Sequence, residues 1–379
     1  MSPKSSSPNG LQRLGTQIAP LLIVCALVFA LPLILNNDFL LNKIARYLVL
    51  GILTVSLALS WGYGGILNLG QAMSFGIGSY AMAMALKLKT IPVHTGSSGL
   101  PDFMVWNNVP SLPWFWVPFK SLSFALAAGI IVPALVAAAL GWFIFRSRVT
   151  GVYVSIITLA TMVVLNLVII DQQSYTGGFN GITDLAQLEI LGVAFDAYGR
   201  ATYYLVACCV ALSLFAAFAF TRTKAGLIVQ AIRDHESRVR YFGYDVAGYQ
   251  IFVFALSAAI AGLAGMLYTV VMEFASPTFL GVQLSLSVVV WCAVGGRQSL
   301  VGAFLGAVLV AGMQGALSES AAFLETWTLV MGALFVLVVL FLPKGLAGFA
   351  QGAWRWLAQR RHTANGVGEG VGQTTEGNA

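Results

Sequence analysis

The chain has 379 residues, of which 58% are hydrophobic and only 9% charged, with a formal net charge of +6 and a mean hydropathy of +0.84. A soluble domain carries roughly 25% charged residues, so the composition excludes one and calls for an all-α polytopic membrane protein. The apolar runs are too long and too seldom alternating for barrel strands. In a soluble protein the basic excess would point to nucleic acid. Here it follows from loops on one side of a membrane.

A span needs about 20 apolar residues to cross about 30 Å of hydrocarbon, which allows roughly eight to eleven helices in this length, and the pattern favours about ten. Residues 1–17 are a polar leader with Lys4 and Arg13, predicted to be a cytoplasmic tail. The first span, 18–35, has no convincing cleavage site after it and is expected to stay uncleaved. The second span, 44–60, runs into WGYGGILNLGQAMSFGIGSY. Gly62, Gly64, Gly65, Gly70, Gly76 and Gly78 permit a break in the helix and then close approach of a neighbour to the third span, which ends near residue 86.

Residues 87–119 hold five prolines together with Trp106, Trp114, Phe115 and Trp116, the pattern of an interfacial aromatic belt with proline-set turns. Spans four and five, 121–145 and 151–170, flank Arg146 and Arg148. An acidic loop follows at 171–200, where the glycines and Asn180 of TGGFNGI suit positive φ. The sixth span is 202–220. Asp245 is placed to cap the seventh, 246–272. The eighth, 278–294, breaks at Gly295, Gly296 and Arg297; the ninth is 300–317 and the tenth 325–342, stopped by Pro343. The transmembrane domain is thus 18–345, followed by a basic tail, 346–379, expected to be partly disordered.

One polar interruption stands apart, the loop 221–248. Leu227, Ile228, Ala231, Ile232, His235, Val239 and Phe242 recur at helical steps and predict a helix with one apolar face. Asp234 with Arg238 and Glu236 with Arg240 are acid-before-base pairs at the favourable spacing. The length suits either a docking surface for a cytoplasmic partner or an amphipathic connector on the headgroups. With both termini on the same side as this loop, Lys4, Arg13, Arg146, Arg148, Arg222, Lys224, Arg233, Arg238, Arg240, Arg297 and the basic tail all fall on the cytoplasmic side. Lys43, Arg46, Lys87, Lys89, Lys120 and Arg200 are the exceptions.

No G-x-x-x-x-G-K-[ST] occurs, so the chain has no P-loop of its own. No ionisable residue sits in mid-span: Arg46, Glu273 and Glu325 lie at span ends. That argues against a proton-coupled transporter and against a membrane enzyme. Cys25, Cys208, Cys209 and Cys292 fall within apolar runs, and His94, His235 and His362 are scattered, which leaves no metal set. The remaining polar groups in the spans are neutral. Asn68, Gln71, Ser74, Thr158, Thr161, Asn166, Ser287 and, at the second break, Trp291 are candidates to line a path for a small uncharged or zwitterionic solute. Ser155, Ser285 and Gln314 are of the same kind, and each of these polar groups serves equally well as an interhelical hydrogen bond. A passive channel for a neutral solute fits the same residues. The two breaks, WGYGGILNLGQAMSFGIG and WCAVGGRQSLVGAFLG, share Trp, Gly-Gly and a glycine-rich span, the kind of interrupted pair that marks a translocation path.

GYGGILNLGQAMSFGIGSYA, RSRVTGVYVSIITLA with TGGFNGITD, GLIVQAIRDHESRVRYFGYDVAGYQ and VVWCAVGGRQSLVGAFLG together resemble the permease subunits of branched-chain-amino-acid ABC importers. LPDFMVWN, LPWFW and FRSRVTGVYVSIIT resemble in particular the second permease of the urea-import branch. The resemblance implies a multi-pass subunit of a bacterial inner membrane, paired with a homologous sister permease, two cytoplasmic ATPase subunits and a periplasmic solute-binding protein. It implies urea or a related small amide or amino acid as substrate, and ATP hydrolysis on the partners, with no cofactor on this chain. It turns the central loop into a coupling helix with Gly226, Ala231, Arg233, Asp234, Glu236 and Gly243 towards the ATPase. The loops around Phe103 and Phe179 would receive the binding protein.

Overall fold

A computed structural model describes residues 10–90, 99–190 and 192–319, with a few isolated positions beyond; side chains are described from residue 18 onward. Apart from those positions, the predicted tenth span and the basic tail lie outside the described residues. Helix α1 (Gly10–Ile34) leads to α2 (Asp38–Leu57), which Asn37 caps by accepting from the amides of Phe39 and Leu40. Helix α2 widens into a π turn, Ala58–Tyr63, before the chain runs extended to α3 (Gln71–Thr90). Then come the short α4 (Asp102–Trp106), α5 (Leu122–Arg146), α6 (Val152–Asp171) and the short α7 (Gln173–Thr176). The second half is α8 (Arg200–Arg222), α9 (Lys224–Tyr241), α10 (Val246–Met272), α11 (Val282–Gly295) and α12 (Leu300–Glu319).

Among the described residues, six helices are long and apolar enough to cross a membrane: Asp38–Tyr63, Leu122–Arg146, Val152–Asp171, Arg200–Arg222, Val246–Met272 and Leu300–Glu319. Ile18–Ile34 and Val282–Gly295 are shorter apolar helices. The eighth predicted span therefore starts later than its hydropathy suggests. Pro277 opens a separate 3₁₀ turn, Pro277–Leu280, and α11 begins only after Gly281. One other departure from all-α is a hairpin in the acidic loop, β1 (Leu188–Ile190) against β2 (Val193–Phe195), where only turns are predicted. In TGGFNGI, Gly177, Gly178 and Gly181 do take positive φ, but Asn180 does not.

Burial separates an inner from an outer set of helices. The apolar window of Asp38–Tyr63 is 78% buried inside the bundle and that of α10 61%, against 33% for α5 and 22% for α6. The outer two turn Leu135, Phe143, Val164 and Leu167 outward, as lipid-facing helices do. Where lipid replaces water, helices gain little from hiding apolar surface, so the inner contacts rely on close backbone approach. A Cβ on Gly265 would fall 1.8 Å from the carbonyl oxygen of Phe75, and one on Gly78 would fall 2.1 Å from that of Gly262, which brings α3 and α10 into backbone contact.

Two local expectations change in the fold. Asp245 sits at the start of α10 without capping it; its carboxylate turns to Arg146 of α5, 3.8 Å away. Of the four cysteines only Cys25 and Cys292 are buried; Cys208 is exposed on α8, and none is disulfide-bonded.

Candidate functional site

Breaking α2 inside the bundle leaves backbone groups that need partners, and the neutral polar residues supply them. Gln71 donates to the hydroxyls of Ser56 (2.6 Å) and Ser257 (3.0 Å) and accepts from Asn68 (2.6 Å). Asn68 in turn accepts from the amide of Gly70, and Ser257 donates to the carbonyl of Ser56. Thr158 accepts from the amide of Leu69, Ser155 donates to the carbonyl of Leu67, and Ser285 donates to that of Leu69. Three of the predicted path residues, Asn68, Gln71 and Thr158, are thus buried inside a knot that holds the extended segment, and Ser74 is buried on α3. Thr161 bonds back to Ile157 of its own helix, and Asn166 donates to the carbonyl of Pro277 (2.5 Å).

The other two, Ser287 and Trp291, lie elsewhere, in a groove of about 320 Å³ between α2, α10, α11 and α12. Its walls are Tyr47 and Leu50 from α2, Tyr268 from α10, Gln283, Ser287 and Trp291 from α11, and Gln314 and Ser318 from α12. Thr278 also lines it. Tyr47 fits because position 315 is glycine, where a Cβ would lie 2.0 Å from the tyrosine oxygen. The lining is neutral: hydroxyls, amides and aromatic faces. The side-chain amides of Gln283 and Gln314 have no hydrogen-bond partner among the described residues. Gln314 and the tyrosines are groove residues that the glycine motifs did not single out. Gln314 was legible as an amide in an apolar span, whereas the tyrosines carried no such signal. Along the same stripe of α2, Arg46 carries a buried Nε without an acceptor among the described residues, while Lys43 pairs with Glu319 at 2.6 Å.

The two glycine breaks meet at the end of the bundle where α9 lies. A Cβ on Gly62 would fall 1.7 Å from the carbonyl oxygen of Arg297, so the turn after α11 rests directly on the π turn. Arg297 lies 5.3 Å over the ring of Trp61, and Tyr63 donates to the carbonyl of Gln298 (3.1 Å).

Helix α9 forms as predicted, capped by Thr223, but its faces differ from the pattern. Val229, Ile232 and Val239 are buried, whereas Leu227, Ala231, His235 and Phe242 are exposed. The cause is Gly226, whose missing side chain lets α9 press on the carbonyl of Phe220 and sets its rotation. At His235 the backbone leaves the helix (φ −152°, ψ 82°). Glu236 pairs with Arg240 as expected, but Asp234, on the far side of this kink from Arg238, pairs with Arg233 instead. Of the six predicted coupling residues, Ala231, Asp234 and Gly243 are exposed, Glu236 is half-buried, and Gly226 and Arg233 turn inward.

At the opposite end, Phe103 is buried among Leu100 and Met104, while Trp106 in the same loop and Phe179 are exposed. Lys87 is buried there and reaches Asp102 (2.9 Å) and Asp184 (3.4 Å), tying two loops together. Glu273, exposed just after α10, is held protonated to higher pH than an ordinary glutamate, first by partial burial and then by the charge of Asp196. Among the described residues, no group of His, Cys, Asp and Glu is assembled to hold a metal.

A bundle of membrane-length helices broken at glycines, with a neutral polar groove along its inner helices, defines a membrane permease. Residues 39–339 match the family described as branched-chain amino acid transport system / permease component, and the chain belongs to that family. It is similar to the high-affinity branched-chain amino acid transport system permease protein LivM of Escherichia coli, 27% identical over 323 residues, which cover 79% of this chain and 67% of the relative. The probable branched-chain amino acid transport permease protein LivM of Methanocaldococcus jannaschii is 26% identical over 231 residues, covering 58% and 63%. The ribose import permease protein RbsC of Haemophilus influenzae is 23% identical over 199 residues, covering 50% and 58%. No solved structure matches.

Proposed function

We propose that this chain is the transmembrane permease subunit of an ATP-driven importer for urea or a related small amide or amino acid, and that it forms half of the translocation path. The observation that carries this reading is the groove, where the amides of Gln283 and Gln314, without partners among the described residues, line the same space as the hydroxyls of Ser287 and Ser318. Amides and hydroxyls offer both donors and acceptors, the chemistry that urea or a primary amide needs, without the charge that an ion pathway requires. The strings LPDFMVWN and FRSRVTGVYVSIIT, similar to the urea-import branch, favour urea within the class.

ATP would act on partner subunits, since the sequence holds no P-loop. Helix α9 is the surface for them. Ala231, Asp234 and Gly243 are exposed on it, and Tyr241 and Phe242 follow at 90% and 82% exposure. The remaining half of the path belongs to a sister permease, and a solute-binding protein delivers the cargo at the end that carries Phe179. In this reading the membrane is a bacterial inner membrane, with α9 and both termini on the cytoplasmic side.

Uptake of labelled urea and of leucine into vesicles holding the assembled transporter, with and without internal ATP, tests the reading. ATP-dependent urea uptake is the expected result. ATP-dependent leucine uptake alone would move the substrate to amino acids, and urea flux through this chain by itself, indifferent to ATP, would replace the importer with a passive channel.

A further inference from the structure

We propose that Arg233 is a positioning residue that transmits movement of α9 to the broken end of α2 and, through it, to the groove. The inference rests on the reading of α9 as the docking helix for the ATPase subunits, and it assigns this arginine a place inside the permease and not on the docking surface.

Arg233 lies in the most charged stretch of the chain, yet its side chain is only 25% exposed. Its Nη1 donates to the carbonyl oxygen of Gly62 at 2.6 Å. The stem packs on Gly65, where a Cβ would fall 2.8 Å from the arginine Cγ; Gly65 also has φ +72°, so only glycine suits the site on both counts. Asp234 holds the guanidinium from the other side, one carboxylate oxygen accepting from Nε at 2.9 Å and lying 2.8 Å from Nη2. The kink at His235 leaves Asp234 on Arg233 and out of line with Arg238. A planar fork fixed at both edges is a stiff connection; a lysine ammonium would reach the carbonyl as a point charge only.

The carbonyl it grips sits at a helix end. Gly62 is in the last turn of the π segment, where carbonyl groups lack amide partners and a cation interacts well with the helix dipole. From Gly62 the helix runs back without interruption to Leu50 and Tyr47, a distance of about 22 Å at 1.5 Å per residue, and both of those residues line the groove. In the other direction the chain passes to Leu69, whose carbonyl accepts from Ser285 on α11, two residues before Ser287 in the groove wall. A displacement of α9 at Arg233 thus reaches the groove by two routes, one along the continuous chain of α2 and one through the hydrogen bond between Leu69 and Ser285 into α11. The turn at Arg297 and Gln298, seated on Gly62 and Tyr63, ties the end of α11 to the same point.

The test uses the transporter assembled with its ATPase subunits and sister permease in proteoliposomes, reading labelled urea and labelled leucine in parallel. For each variant, solute imported per ATP hydrolysed is measured per assembled complex. Arg233→Ala is expected to keep ATP hydrolysis while the solute imported per ATP falls at least tenfold. Arg233→Lys retains the charge and keeps the test open if the alanine variant fails to assemble; its ratio is expected to fall below that of wild type and, where both assemble, above that of alanine. An unchanged ratio in both variants, or hydrolysis and import falling together so that their ratio stays constant, would overturn the transmission role and leave a structural one. Phe242→Asp, on the exposed face, tests the docking reading separately: ATPase subunits that still co-purify in wild-type amounts with this variant would remove α9 as the docking helix, whatever Arg233 does to the ratio.

Discussion

The knot at Gln71 and the groove at Gln314 are built from the same materials, neutral amides and hydroxyls set among apolar helices, and they do opposite things. In the knot the amide of Gln71 meets Ser56, Ser257 and Asn68, and all three are buried. In the groove, among the described residues, Gln314 has no hydrogen-bond partner for its amide and Ser287 bonds only to the Gln283 carbonyl of its own helix, at 2.8 Å. Residue type therefore does not separate a structural polar group from one available to a solute. What separates them is whether the fold has already supplied the partner. A buried amide without partners would be costly, so the knot is complete, whereas a surface for a passing solute must be left incomplete.

The largest effect that would sharpen this contrast belongs to the knot. Gln71→Leu removes donors and acceptor at once, taking the acceptor from the Asn68 amide nitrogen and one bond each from the Ser56 and Ser257 hydroxyls; a loss of about 1–3 kcal/mol is expected, read as a lower midpoint of thermal unfolding in detergent. A variant as stable as wild type would mean the knot is not what holds the extended segment. Gln314→Ala should do the reverse: stability within about 0.5 kcal/mol of wild type, and KM for the imported solute raised about fivefold, the equivalent of one hydrogen bond of about 1 kcal/mol. Transport kinetics indistinguishable from wild type would remove Gln314 from the path. Ser287→Ala, whose hydroxyl is already engaged with Gln283, should raise KM about twofold, the low end of the range for one hydrogen bond.

The smallest effect is on pH. Glu273 lies on the connection between Tyr268 and Thr278, two groove residues. Its folded pKa is raised by burial and by Asp196, so the folded state binds more protons than the unfolded one between the ordinary glutamate value of about 4.3 and the raised value. Stability should therefore fall slightly as pH rises through that window and be flat above it. Glu273→Gln should abolish the slope, and thermal midpoints taken across the window in both proteins would show whether it does.

Much of this was legible in the residues. The composition prescribed membrane helices, and Gly62, Gly64 and Gly65 announced the break that the π turn realises. The resemblance to the branched-chain-amino-acid permeases, carried by strings such as WCAVGGRQSLVGAFLG, agrees with the family match over residues 39–339. The candidate path was legible only in part. Ser287 and Trp291 line the groove, whereas Asn68, Gln71 and Thr158 hydrogen-bond around the extended segment and Ser74 is buried on α3. Hydropathy also merged a 3₁₀ turn with α11, because Pro277–Leu280 is as apolar as the helix that follows it.

Sequence by itself determined the class, the breaks and the existence of α9, since each depends on properties a residue carries with it: transfer cost, glycine's freedom at positive φ, and helical period. Tertiary structure alone decided which polar groups are satisfied, which face of α9 is buried, and that Arg233 points inward to Gly62. Those outcomes depend on what a second segment, distant in sequence, brings within hydrogen-bond reach. Helical period places Arg233 among solvated charges, and only the packing of Gly226 on Phe220 and the kink at His235 turn it towards the end of α2.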